Sequence, residues 1–306
     1  MSALLHEALS AFGLTGAEAV FIRHNENMTY HVDGRYLLRI HKAAEGLYVD
    51  HDPKKRRAEL TFLQHLASTG LGVQHPIAET VLSDGTMATL LTWLEGHHIT
   101  EAEFTWDMQH RIGAMVARLH QAAADFHHPS LRRYDAAHAL KQAQAIRLMG
   151  ERHHLNPDEV TAACNAAEVI ADRLDRKESE FIPIHCDLSQ SNMLLTDSGP
   201  IPIDFSLCGI GHPMHDLSVL LANTSTRAQR CAFAEGFAAA GGRIDLPLLD
   251  AGYALGLLEA LAIHADKWPK ESWFLPRLTR WVNELFLPLS QGKPLLDKHM
   301  TLVNLK

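Results

Sequence analysis

Cysteine is scarce and scattered in this chain. The four thiols, Cys164, Cys186, Cys208 and Cys231, form no Cys-x-x-Cys pair, which excludes a cysteine zinc site and a disulfide framework and leads us to expect reduced thiols in a cytosol. A basic excess is missing as well. The formal net charge of −8 excludes wholesale nucleic-acid binding, which needs a basic face, and is compatible with a cationic substrate. The opening residues Met1 to Glu7 lack a basic stretch followed by an apolar one, so no signal peptide is expected. Glu259 interrupts the longest apolar run, Ala254 to Ile263, so no segment is expected to reach membrane-spanning length. Histidine is abundant at 21 residues, yet no His-Glu-x-x-His occurs. Pairs such as His97-His98, His127-His128 and His153-His154 read as solvated or capping groups. There is no internal repeat and no low-complexity segment.

What remains is an ordinary soluble composition, 46% apolar and 21% charged, in a chain long enough to divide into two lobes. The first third reads as strands around one helix. Ala19 to Arg23 is a short apolar strand followed by the polar stretch His24 to Asn27. Thr29 to Val32 and Arg35 to His41 flank Asp33-Gly34, a two-residue hairpin turn. In the second of these strands Tyr36, Leu38 and Ile40 share one face, and Leu37, Arg39 and His41 share the other. A helix starts near Pro53, with Leu60, Leu63 and Ala67 at helical spacing and Glu59 inside it. Two further strands meet at Ser83-Asp84-Gly85, and Glu95-Gly96 is a plausible linker.

The rest is mainly helical. Ile112, Met115, Val116 and Leu119 form a core-facing stripe. Asn156, Pro157 and Glu159 resemble the start of a helix with a capping box. Trp268, Trp273, Phe274 and Trp281 could stack over a quaternary ammonium or a sugar, although core packing explains their spacing better. The helical run breaks once, between Phe181 and Phe205. There a strand is followed by a polar loop opened by Asp187 and closed by Asn192, then a strand, a tight turn, and a third strand ending in Asp204. Three oxygen-bearing side chains therefore converge on one sheet edge. Oxygen donors suit a hard cation such as magnesium, and a carboxylate and an amide leave it room for phosphate oxygens, as phosphoryl transfer needs. A separate carboxylate, Asp187, can accept the proton of an attacking hydroxyl.

His185-Cys186-Asp187, with Asn192 and Asp204, resembles the catalytic and metal loops of the aminoglycoside phosphotransferase / choline kinase family. Gly211-His212-Pro213 followed by Asp216-Leu217 strengthens the resemblance. The family implies an α+β, protein-kinase-like two-lobed fold, with a small antiparallel-sheet lobe over residues 1–94 and a larger, mainly helical lobe over 95–306. It implies ATP and Mg2+ as cofactors, Asp187 as catalytic base, Asn192 and Asp204 as metal ligands, His185 as a brace, and Asp216 as support for the catalytic loop. Arg39 stands where the phosphate-anchoring residue falls and Glu59 where its helix partner falls. Asn25 and Asn27 lie in the nucleotide loop, and Trp93, Leu94 and Glu95 in the hinge. Arg39 replaces the lysine of the best-known members, Cys186 stands where glycine is common, and Ser189-Gln190-Ser191 replaces the usual loop centre. The expected reaction is transfer of the ATP γ-phosphate to a small-molecule hydroxyl: an aminoglycoside, choline or ethanolamine, homoserine, or a sugar. The expected location is cytoplasmic, with no nucleic-acid or membrane partner. A Ser/Thr protein-kinase-like enzyme and a catalytically silent nucleotide-binding module are the rival readings.

Overall fold

Asp33 and Gly34 both adopt left-handed backbone (φ 51° and 67°), as a two-residue turn between twisted strands requires. This computed structural model describes residues 3–44, 52–222, 224 and 226–295. A first helix, α1 (Ala3–Ala11), precedes strands β1 (Ala19–His24), β2 (Met28–Val32) and β3 (Tyr36–Ile40). Helix α2 (Pro53–Ser68) and strands β4 (Pro76–Val81) and β5 (Met87–Thr92) complete the small lobe. The five strands pair antiparallel in the order β1-β2-β3-β5-β4.

The alternation read along β3 decides what covers each face. Leu38 and Ile40 pack on Leu5, Ala8 and Leu9 of α1, whereas Leu37 joins Phe62, Leu63 and Leu66 of α2. The sequence reading gave this lobe one helix. It has two, because Leu5, Ala8 and Leu9 form the short apolar stripe that the Leu38 face needs. The buried face of α2 also differs from the predicted one. Ala58, Phe62, Leu63 and Leu66 are buried, with Leu60 and Ala67 at its margins. Arg39, on the Leu37 side of β3, therefore points toward α2 rather than solvent.

The large lobe adds the two-residue strand β6 (His97–His98), α3 (Trp106–Ala123), β7 (Arg132–Tyr134), α4 (Ala136–His153), α5 (Pro157–Asp175) and β8 (Ile182–Ile184). Then come β9 (Met193–Thr196), β10 (Gly199–Pro202), β11 (Gly209–Gly211), α6 (Met214–Ala222), α7 (Arg227–Ala239), α8 (Leu246–Ile263) and α9 (Phe274–Trp281). Two three-stranded sheets, β10-β9-β6 and β7-β11-β8, carry the loops between them. The predicted stripe Ile112, Met115, Val116 and Leu119 is buried on α3. Asn156 caps α5 by accepting from the Asp158 N–H, but Glu159 completes no capping box: its carboxylate accepts from Thr279 Oγ1 at 2.5 Å. Trp268 packs on Trp273 and Trp281 with ring centroids 5.5 and 6.0 Å away; Phe274 is fully buried and Trp268 and Trp281 pack against the core, whereas Trp273 is exposed.

Helix α8 corrects a sequence expectation. Its 18 residues, of mean hydropathy 1.5, are long and apolar enough by composition to cross a membrane. Half of it is buried within the fold, against α4, α5 and α6. Glu259, which breaks its apolar run, meets His138 Nε2 of α4 at 2.7 Å and His215 Nε2 of α6 at 3.4 Å. That is how a carboxylate is accommodated on the inner face of an apolar helix.

Candidate active site

The β9–β10 hairpin brings Asn192 and Asp204 together. Its strands pair Met193 with Pro202, and the ladder continues one step further, where the Ile203 N–H donates to the Asn192 carbonyl at 2.9 Å. Asp204 is the next residue. Its backbone turns into the left-handed region (φ 65°), which redirects the chain at the strand end.

The loop from Asp187 to Asn192 closes on itself. Asn192 Nδ2 donates to Asp187 Oδ2 at 2.7 Å and to the Asp187 carbonyl at 2.9 Å. That spends the amide N–H groups on Asp187 and leaves the amide oxygen as the donor atom toward a cation. Asp204 Oδ1 is buried and makes no hydrogen bond among the described residues. An oxygen-only donor pair with an orphaned carboxylate oxygen suits magnesium, so these residues fit the cation that the sequence implies. No cluster of three or more His, Cys, Asp or Glu among the described residues offers a rival metal site.

His185 spans the base of the loop. Its Nε2 donates to the Ile203 carbonyl at 2.9 Å, so Nδ1 is the acceptor for the Asp187 N–H at 3.3 Å, and the ring sits on Phe205 with centroids 4.4 Å apart. Asp216, fully buried at the start of α6, accepts from the N–H groups of His185 (3.0 Å) and Cys186 (2.7 Å) and from His120 Nε2 (2.9 Å). Burial alone would raise its pKa, but the His120 hydrogen bond and the nearby His185 outweigh burial and lower it. The same carboxylate explains a departure noted in the sequence. Cys186 holds φ 68°, a conformation that suits glycine and costs another residue about 1–3 kcal/mol; the 2.7 Å bond from its N–H to Asp216 fixes it there.

Burial also raises the Asp187 pKa, aided by the Asp204 and Asp216 carboxylates and opposed by His185 and the Asn192 hydrogen bond. Asp204 goes the other way. Burial would raise it, yet the Arg39 and Arg23 guanidiniums hold it at about 2. Two carboxylates on one edge are thus driven apart, one toward holding a proton and one toward permanent charge.

The small lobe supplies the cations. Arg39 Nη1 donates to Glu59 Oε1 at 3.1 Å, both groups buried, and Arg39 Nη2 stands 3.6 Å from Asp204 Oδ1. The predicted pair is therefore formed, and it faces the predicted carboxylate. Trp93 and Leu94 line the cleft above it, with Leu37, Leu194 and Ile203 completing an apolar wall. Glu95 is exposed and does not line this cleft. Asn27 is buried and accepts from His41 Nδ1 at 2.9 Å, so it braces β2 against β3, while Asn25 stays exposed at the loop tip.

Four further residues belong to the site that the sequence reading missed. Arg56 Nη1 donates to Glu59 Oε2 (3.1 Å) and to the Ser206 carbonyl (3.2 Å), which Arg132 Nη1 also reaches (2.8 Å). Arg23 Nη2 lies 2.6 Å from Asp204 Oδ2, and Glu26 Oε2 accepts from Ser206 Oγ at 3.3 Å. Only Arg56 carried a signal, one helical turn before Glu59 on the same face; the others meet their partners across more than seventy residues. Size does not mark the site. A cavity of about 850 Å³, far larger than the space at the site, lies elsewhere in the large lobe beside Lys177, His212 and Arg243, and of the residues just described only His120, which backs Asp216, lines it.

Comparison with known proteins agrees with this geometry. Over 180 residues the chain is 30% identical to a homoserine kinase of Neisseria meningitidis serogroup B, an alignment covering 54% of each protein. It is 27% identical over 237 residues to an uncharacterized protein of Deinococcus radiodurans, covering 71% of this chain and 65% of that one. The chain thus spans about half to two thirds of the curated relatives it matches. An amicoumacin kinase solved with AMP-PNP and Ca2+ superposes with a TM-score of 0.69 at 17% identity, over 90% of this chain and 89% of the other. A spectinomycin phosphotransferase solved with ADP gives 0.66 at 14%, over 95% and 98%. At these identities the two structures share the kinase-like fold with this chain. The sequence profile of the phosphotransferase enzyme family matches residues 18–255, and the chain belongs to that family.

Proposed function

We propose that the protein transfers the γ-phosphate of ATP to the hydroxyl of a small molecule. The observation that carries this reading is the meeting of Asp187, Asn192 and Asp204 on one edge, with Arg39 of the other lobe 3.6 Å from Asp204. In this reading the lobes divide at Glu95-Gly96, into 1–94 and 95–306. The adenine lies against the apolar wall at Trp93 and Leu94, and Arg39, held by Glu59, reaches the phosphates. Asn192 and Asp204 hold magnesium, which when bound neutralises charge on the phosphate oxygens. Asp187 orients the acceptor hydroxyl and takes its proton; its raised pKa brings it closer to that task at neutral pH. His185 and Asp216 keep the loop in place. Buried free thiols at Cys164, Cys186 and Cys208 fit a cytoplasmic location.

For the acceptor class, support comes from the homoserine kinase relative and from neighbours whose names record antibiotic substrates. The test is magnesium-dependent ATP turnover on a panel of homoserine, choline, ethanolamine, aminoglycosides and sugars. Turnover on one class, lost in Asp187→Asn, is the expected result. Tight magnesium-dependent ATP binding with no turnover on any acceptor would instead favour the silent nucleotide-binding module.

A further inference from the structure

The end of β1 and the loop after it put two opposite charges where the cofactor's charges would go. Arg23 Nη2 contacts Asp204 Oδ2 at 2.6 Å, the carboxylate read above as a metal ligand. Three residues on, Glu26 reaches Ser206 Oγ at 3.3 Å. Both contacts run from the small lobe to the segment 204–206, so together they draw the loop down over the cleft. The space left beneath is about 140 Å³, with Ile22 and Arg23 among its walls. Sites that enclose small-molecule ligands measure about 300–1,000 Å³. The space beneath is smaller than such sites, and Arg23 forms part of its wall.

We propose that the end of β1 and the loop after it form a latch: the Arg23 guanidinium, held on Asp204 Oδ2, competes by charge with a divalent cation at the neighbouring Oδ1, and cation and nucleotide bind by displacing it. The proposal rests on the reading of Asp204 as a metal ligand. Three observations distinguish a displaceable contact from a structural one. The Arg23 side chain is 44% exposed against 6% for Arg39, so its ion pair is screened and weakly held, whereas Arg39 is anchored by Glu59. β1 is an edge strand whose Val20, Phe21 and Ile22 are all exposed, so lifting its end sacrifices little buried surface. Glu26 sits in poor electrostatic company. Burial and the Asp204 and Asp187 carboxylates raise its pKa against the opposing pull of Arg56, and a polyphosphate arriving beside it would add like charge.

The test compares the wild-type protein with Arg23→Gln, an exposed position that tolerates the change. Mn2+ alone is titrated by electron paramagnetic resonance, and amide hydrogen exchange of residues 22–27 is followed without metal or nucleotide. The latch predicts about fivefold tighter Mn2+ binding in the variant, the scale of an exposed ion pair, and faster exchange of the loop amides. It also predicts tighter MgADP binding. Equal Mn2+ affinities, or unchanged exchange, would overturn it, as would weaker MgADP binding, which would make Arg23 a phosphate-binding residue instead. Absence of MgADP binding in the wild type would sink the functional reading itself, a different outcome from equal affinities.

Discussion

Asp216, buried, and Asp204, partly buried, are carboxylates on one stretch of chain, and both have lowered pKa values, yet they are held by opposite means. The partners of Asp216 are two main-chain N–H groups and His120, all fixed by the packing of α3, α6 and the catalytic loop. The partners of Asp204 are the ends of two long side chains from the other lobe, Arg23 and Arg39. One carboxylate is completed by the fold, whereas the other is only lent counter-charges. In the proposed reading, the difference separates a carboxylate that builds the site from one that binds in it.

Substitutions should separate these roles. The largest effect is expected at the group both carboxylates serve: Asp187→Asn should lower turnover by about 10²–10⁴-fold with nucleotide affinity nearly unchanged, read by single-turnover kinetics beside an ADP titration. Asp216→Ala should cost about 3–5 kcal/mol of stability, since it strips one side of a buried charged network. Asp204→Asn should cost less, at most about 2–3 kcal/mol for a carboxylate held at about 2, while abolishing metal-dependent nucleotide binding. Urea unfolding of the two variants checks this, and equal losses would erase the distinction. Arg39→Ala should weaken ADP binding by about tenfold, the scale of a charge-assisted hydrogen bond. Arg39→Lys should recover only part of it, because an ammonium cannot bridge Glu59 and a phosphate as a fork does.

The smallest effect concerns pH. Burial would raise Glu259, but His215 and His138 bring it to about 2. Its stabilisation is therefore complete above the unfolded value of about 4.3 and is lost as pH falls toward 2. Burial lowers His215 less than Glu259 and Asp216 raise it. Its share is complete below an unfolded value of about 6.5 and disappears as pH rises through the higher folded value. Thermal midpoints should be flat between about pH 4.5 and 6.5 and fall on both sides. A midpoint that kept rising below pH 4 would remove this network from the large lobe's support.

Local chemistry made much of this legible in the sequence. Asp33-Gly34 announces its hairpin because the turn needs two left-handed residues, and Asp187, Asn192 and Asp204 lie on adjoining strands and loops whose spacing alone brings them together. The family resemblance pairs Arg39 with Glu59, which lie on the consecutive elements β3 and α2. Arg23 gives no such sign. It meets Asp204 from 181 residues away, and on an exposed edge strand its type is what solvent alone would permit. Helix α1 was hidden for a related reason: a nine-residue helix is marginal by itself and is decided by the sheet face it covers. Glu259 looked like an interruption in an apolar run because its two histidine partners arrive from other helices.

Cys186 adds a practical consequence. Its thiol is fully enclosed, and burial, with Asp216 next to it, pushes its pKa well up, so little thiolate exists at neutral pH and alkylating reagents should pass it by. Cys231, only half-buried, sets the baseline rate on the same chain. Any slow modification of Cys186 then counts the moments when the loop leaves Asp216, turning an unusual residue choice into a built-in stopwatch for opening of the proposed catalytic centre.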